Sequence, residues 1–236
     1  MVRVLNDMDK AHLMEIAEEL FDEYFYEAIV RYDDSPWKTL QNSIDDWAYF
    51  HHKVIDKYGL DFFYGVTKVC VTIKDFGWVL KVGRVCTNCD EPVNYCEIEA
   101  DNFRRAIDNN VADAFAATYQ IGVIGGVPIF AQELVTINED ENSNRMYDYM
   151  ASFTPIDPDE TDEQYNERIS ELVDVDMQEL DIIYAMLGED RDDVVEFCET
   201  FEINDLHRGN WGINREGRCV VLDYSGFNRG GDRYDL

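Results

Sequence analysis

Three side chains near the C-terminal end, Asp205, Asn210 and Asp223, carry oxygen atoms of the kind that act on a hydroxyl or hold a divalent cation beside phosphate. They stand in Ile203-Asn204-Asp205-Leu206-His207-Arg208-Gly209-Asn210 and in Val220-Val221-Leu222-Asp223-Tyr224-Ser225-Gly226. Phosphoryl transfer needs a carboxylate near the incoming hydroxyl and oxygen ligands for magnesium bridging the phosphates, all on one rigid frame. A short loop followed by a hairpin into a buried strand supplies that frame. Asp223 directly follows the apolar run Val220–Leu222, so a strand there delivers its carboxylate at the mouth of a cleft. Asn210 is a neutral oxygen ligand, suited to a site whose phosphates already carry the negative charge. The plain alternative is that Asp205 and Asn210 only cap turns, as such residues commonly do in loops.

These two stretches resemble the catalytic and metal-binding loops of the protein-kinase-like superfamily, in the Asp-Leu-His-x-Gly-Asn form found in choline kinases, aminoglycoside phosphotransferases and kinase-like proteins of bacteriophages. The resemblance implies that Asp205 is the catalytic aspartate and that Asn210 and Asp223 bind magnesium. It also implies that Trp78-Val79-Leu80-Lys81 is the strand whose lysine holds the α- and β-phosphates of ATP, although a lysine in an apolar strand can also snorkel to a sheet edge. Such a lysine needs a carboxylate to fix its position. Glu99 is expected to supply it, because it shares a helix face with Phe103 and Ile107 whereas Glu97 points away from them.

The chain also departs from the family's pattern. In Tyr64-Gly65-Val66-Thr67-Lys68-Val69 a single glycine, Gly65, stands where several usually let the backbone approach phosphates, which implies weaker or altered ATP binding. Ile203 occupies the place of a histidine that often precedes the catalytic aspartate. The stretch 224–236 is too short for an activation segment and later helices, so peptide substrates lose their usual dock. The resemblance covers about Tyr64–Gly226 and leaves the first sixty residues outside it. His207 reads as structural, Arg208 as a phosphate contact or a solvated cation, and His51-His52 as surface or packing residues.

The elements that must position these groups follow from periodicity. Leu13, Ile16, Leu20, Tyr24 and Ile29 predict an amphipathic helix over Lys10–Arg31, and a second runs from Ser35-Pro36 to Tyr58-Gly59 with Leu40, Ile44, Trp47, Val54 and Ile55 as its stripe. Phe62–Ile73 and Trp78–Val82 read as a β-hairpin around the turn Lys74–Gly77. A helix over Tyr95–Asn110 and strands at Tyr119–Ile124 and Val127–Ile137 follow. The polar, acidic stretch Asn138–Asn144 reads as an interlobe linker. Helical patterns over Met146–Met150, Asp162–Leu187 and Asp190–Phe201 then lead to the loop at Asn204–Gly212 and a strand at Cys219–Leu222. The expected architecture is an α+β, two-lobed kinase-like fold: a helical extension at 1–59, a β-rich lobe at 60–137, and a minimal helical lobe at 138–236.

Composition bounds the function. Fifty acidic against twenty basic residues give a net charge of −30, which disfavours nucleic-acid backbones and anionic membranes and attracts basic proteins. Because the acids are scattered along the chain, a solvated surface is the favoured reading over a DNA mimic. The chain has no apolar run of membrane-spanning length and no secretory leader, so the cytoplasm of a bacterium or phage-infected cell is expected. The six cysteines include Cys86-Thr-Asn-Cys89 with Cys96 and Cys70 as further candidates, but a fourth zinc ligand is missing and reduced thiols are expected. The leading functional expectation is an ATP- and magnesium-dependent phosphotransferase acting on an unidentified hydroxyl. A nucleotide-responsive pseudokinase and an acidic decoy protein are the alternatives.

Overall fold

Helical and strand periods both survive into the folded chain, which is mixed α+β. The computed structural model describes all residues except 1–2, 33–36, 66, 87–92, 174–178, 189–190, 205 and 226–236, and only the backbone of 32, 37–41, 86 and 179–180. Two compact units result: Met1–Arg105 with Ala117–Leu134, and Ala106–Ala116 with Val135–Arg229. No helix of the described residues is long and apolar enough to cross a membrane.

The first unit opens with α1 (Asp7–Leu20), capped by Asn6, whose side chain accepts from the Asp9 N–H at 2.8 Å. Leu13, Ile16 and Leu20 are fully buried, as their three- and four-residue spacing demands. The helix expected to reach Arg31 instead stops at Leu20. Asp22 starts the short α2 (Glu23–Phe25), which continues into a π-turn at Tyr26–Val30. That break resets the helical phase, so Tyr24, expected on the buried stripe, is 42% exposed. Next, β1 (Arg31–Tyr32) pairs in parallel with β5 (Val85–Cys86). In α3 (Trp37–Tyr58), Trp47 is wedged between Phe25 and Phe62 at ring distances of 5.1 and 5.0 Å. His51 stacks on Trp47 at 4.9 Å while His52 is exposed, a packing and a surface role respectively.

The sheet of this unit is antiparallel, in the order β2-β3-β4-β7-β6, from β2 (Leu60–Tyr64), β3 (Lys68–Ile73), β4 (Trp78–Gly83), β6 (Thr118–Ile124) and β7 (Val127–Glu133). The expected strand Phe62–Ile73 is two strands, β2 ending at Tyr64 and β3 beginning at Lys68, so the hairpin becomes a three-stranded meander. Helix α4 (Tyr95–Asp108) lies in the chain between β4 and β6. Period two and the register give the sheet two unlike faces. Lys68, Cys70, Lys81, Thr118 and Gln132 share one; Val69, Val71, Trp78, Leu80 and Val82 line the other. Helix α1 covers the apolar face, where Asp9 accepts from the Trp78 indole at 3.2 Å and Met14 lies so close to Gly122 that a Cβ there would meet its sulfur.

In the second unit a 3₁₀ turn at Ala112–Ala114 is followed by β8 (Val135–Thr136), α5 (Glu139–Phe153), α6 (Asp162–Glu171), α7 (Glu179–Leu187), α8 (Asp192–Thr200), β9 (Trp211–Asn214) and β10 (Cys219–Val221). The polar stretch taken for a linker is the start of α5. Asn138 caps it by accepting from the Glu141 N–H at 3.2 Å, and Glu139, Asp140 and Glu141 complement the positive end of the helix dipole. The strand expected over Val127–Ile137 ends at Glu133, and β8 instead joins the sheet β10-β9-β8. Only glycine fits at 212, where a Cβ would come within 2.3 Å of the Thr136 carbonyl. The helix expected over Asp162–Leu187 is two helices, and the start expected at Asp190 lies outside the described residues, as do Ser35-Pro36 and the side chain of Leu40.

Candidate functional site

In the first unit the polar sheet face gathers charges that the strands alone would keep apart. Lys81 on β4 is 2% exposed, Glu99 on α4 is 0% exposed, and Lys81 Nζ donates to Glu99 Oε2 at 2.5 Å. Glu97 is exposed, so the helix phase selects Glu99 of the two. The same face continues with Cys96 and Phe103, both buried, but Ile107 in the last turn is 44% exposed instead of completing the stripe. Burial, the largest influence, disfavours the Lys81 ammonium and the Glu99 carboxylate opposes it; the net of all neighbours raises the lysine's proton affinity above the ordinary range. Burial likewise pushes the Cys96 thiol up, so it stays neutral beside the pair.

Two further groups complete this cluster, and both escaped the sequence reading. Gln132 on β7 accepts from Lys81 Nζ at 3.1 Å and donates to Thr118 Oγ1 at 3.0 Å, which fixes which end of its amide faces the lysine. Lys68 on β3, 8% exposed, donates to the other Glu99 oxygen at 2.5 Å. Their only signal in the sequence was a polar residue at an inward position of an otherwise apolar strand. Gly65 lies on the turn before Lys68. Its N–H donates to the Lys68 carbonyl at 2.9 Å, its carbonyl accepts from Arg84 at 3.1 Å, and a Cβ built on it meets nothing within 4 Å.

In the second unit the hairpin of β9 and β10 is the frame. Val221 pairs with Trp211, and the ladder runs one step further, where the Leu222 N–H donates to the Asn210 carbonyl at 2.8 Å. Asn210 and Asp223 are thereby brought to the same open end of the hairpin. Tyr224, fully buried, pins the following residue by donating to the Ala116 carbonyl at 2.6 Å, and Ser225 Oγ donates to Asp223 Oδ1 at 3.1 Å. A half-buried carboxylate and an amide side chain on residues at the same end of a hairpin make a donor set that suits magnesium, a cation that takes few protein oxygens and keeps phosphate and water for the rest.

The loop before β9 is held by a residue that read as linker. Asn142 on α5, buried, donates from Nδ2 to the Arg208 carbonyl at 2.7 Å and the Trp211 carbonyl at 3.0 Å. His207 accepts from the Gly209 N–H at 3.0 Å, the loop-locking role expected of it, and Arg208 is exposed with Glu139 at 3.7 Å. A cleft of about 460 Å³ borders this loop, lined among others by Ser143, Asn144, Tyr147, Ser170, His207 and Arg208. Asp205 lies outside the described residues, as do Cys89 and the Cys86 side chain; Cys70, Cys96, Cys198 and Cys219 are not joined in disulfides. Neither a family model nor a curated protein matches the chain.

Proposed function

We propose that the chain is a kinase-like phosphotransferase that uses ATP and magnesium to phosphorylate a hydroxyl group. The observation that carries this reading is the buried Lys81–Glu99 ion pair, joining the third strand of an antiparallel sheet to the helix inserted before its fourth. Supporting it, the sheet order β2-β3-β4-β7-β6 gives β4 neighbours on both sides, so Lys81 projects from the sheet's interior and not from an edge. Lysine is almost never buried this deeply unless it is paired, and a fixed ammonium is a ready partner for phosphate oxygens.

Each residue then has a defined task. Glu99 and Gln132 orient Lys81, whose ammonium offsets charge on the polyphosphate of ATP as its terminal phosphoryl group passes to the hydroxyl and ADP leaves. Asn210 and Asp223, aligned by the hairpin, hold magnesium, which when bound neutralises phosphate charge. Asp205 accepts the proton of the acceptor hydroxyl or orients it. The cleft beside the loop, with its serine, asparagine and arginine lining, suits a small polar acceptor. A nucleotide-binding module without turnover is the second reading, favoured by the Gly65 N–H being bonded to Lys68 and so not aimed at phosphate.

The test is calorimetry of magnesium-ATP on the full chain and on Asp223→Asn. The wild type is expected to bind and the variant to lose magnesium-dependent binding with an unchanged melting profile. Equal affinity in the two would remove Asp223 from the metal site. Transfer of labelled phosphate to water or a hydroxyl acceptor separates the enzyme from the silent binder.

A further inference from the structure

We infer that Lys68 is a second phosphate-binding lysine, so that ATP's polyphosphate is held by two buried ammoniums aligned on one carboxylate, in place of a glycine-rich loop. The inference rests on the kinase-like reading above and assigns a group that the resemblance does not predict. Lys68 and Lys81 are diagonal neighbours on one sheet face, and each donates to a different oxygen of Glu99 at 2.5 Å. One lysine suffices to neutralise a buried carboxylate. A second adds like-charge repulsion, which acts against the Lys81 proton, and desolvates another ammonium. An anion arriving at both cations offsets that cost.

The turn beside Lys68 explains why side chains take over the task. In a glycine-rich loop the backbone N–H groups point at phosphate. Here the Gly65 N–H is committed to the Lys68 carbonyl, and Arg84 clamps the same turn, donating to the Gly65 carbonyl at 3.1 Å, to the Ile29 carbonyl at 3.0 Å and, from its own backbone, to the Thr67 carbonyl at 2.8 Å. With the Gly65 N–H and the Gly65 and Thr67 carbonyls already bonded, Lys68 follows directly and presents an ammonium to the same sheet face as Lys81.

The experiment titrates the full chain calorimetrically with magnesium-ATP, inorganic tripolyphosphate and adenosine, comparing Lys68→Met and Lys81→Met with the wild type. Lys68→Met is expected to weaken ATP and tripolyphosphate about tenfold, the scale of one charge-assisted hydrogen bond, and to leave adenosine unchanged. Lys68→Arg, which keeps the charge, should recover most of the affinity. Wild-type affinity in Lys68→Met with weak binding in Lys81→Met overturns the inference and leaves the kinase-like reading standing. Failure of the wild type to bind ATP, or indifference to both lysines, overturns the two together. Should Lys68→Met not fold, acetylation of the wild type decides: tripolyphosphate protecting both lysines supports the pair, and protection of Lys81 alone refutes it.

Discussion

Replacing Glu99 by glutamine keeps the shape of the cluster and removes the carboxylate that both lysines share, which makes it the sharpest probe of how the first unit is held together. The wild-type carboxylate is fully buried and bonded to two lysines. Taking away one member of a buried ionic group costs about 3–5 kcal/mol, because the remaining charges stay desolvated. Against a typical total stability of about 5–15 kcal/mol, and with about 2–4 °C lost per kcal/mol for a chain of this size, the melting temperature should fall by about 10 °C. Glu97→Gln, at an exposed position, should stay within about 0.5 kcal/mol of the wild type.

The pH dependence provides a second, independent readout of the same substitution. Folded Lys81 holds its proton above the ordinary lysine value of 10.5, so its contribution is complete below that pH and fades only as pH rises through the higher folded value. In Glu99→Gln, burial and the neighbouring Lys68 charge act without the carboxylate, and both depress Lys81. The folded variant then binds fewer protons than its unfolded chain, and its stability rises between pH 7 and 10. The gap to the wild type should therefore narrow on alkalinisation, measured by calorimetric melting at both pH values. A loss no greater than that of Glu97→Gln, or a gap that is constant or widens, would refute this electrostatic account.

Asn142→Ala deprives the Arg208 and Trp211 carbonyls of their shared donor, which should cost about 1–3 kcal/mol and weaken magnesium-ATP binding together; a lower melting temperature with intact affinity would confine Asn142 to a structural role. Deleting Met1–Tyr58 removes the fully buried Leu13, Ile16 and Leu20, each contributing about 1.5–3 kcal/mol, and the Ile29 carbonyl that Arg84 grips. The fragment Gly59–Leu236 should be insoluble or melt without cooperativity, and a soluble fragment with a sharp transition would show the helices to be an appendage.

Local order alone made part of this protein legible. The helical period predicts that Glu99 and not Glu97 turns inward with Cys96 and Phe103, because residues three and four apart share a face whatever they pack against. The run Val220–Leu222 likewise announces a strand just ahead of Asp223, and β10 ends at Val221. Where local signals compete, the sequence misleads: Asn138–Asn144 is polar enough for a linker, yet the same asparagine and acids are what a helix start requires. The break after Leu20, which exposes Tyr24, has only Asp22 to mark it.

What no local pattern contains is register. The meander sets Cys70 opposite Lys81, which puts Lys68 one diagonal step away and lets a single carboxylate reach both ammoniums. Gln132 joins them because β7 pairs with β4 although β5, the whole of α4 and β6 separate the two in the chain. Asn142 becomes a clamp only when α5 lies against a loop 66 residues further on. Such partners are chosen by which strands and helices find each other in the folded chain, a long-range decision whose cost in chain entropy only the assembled core repays.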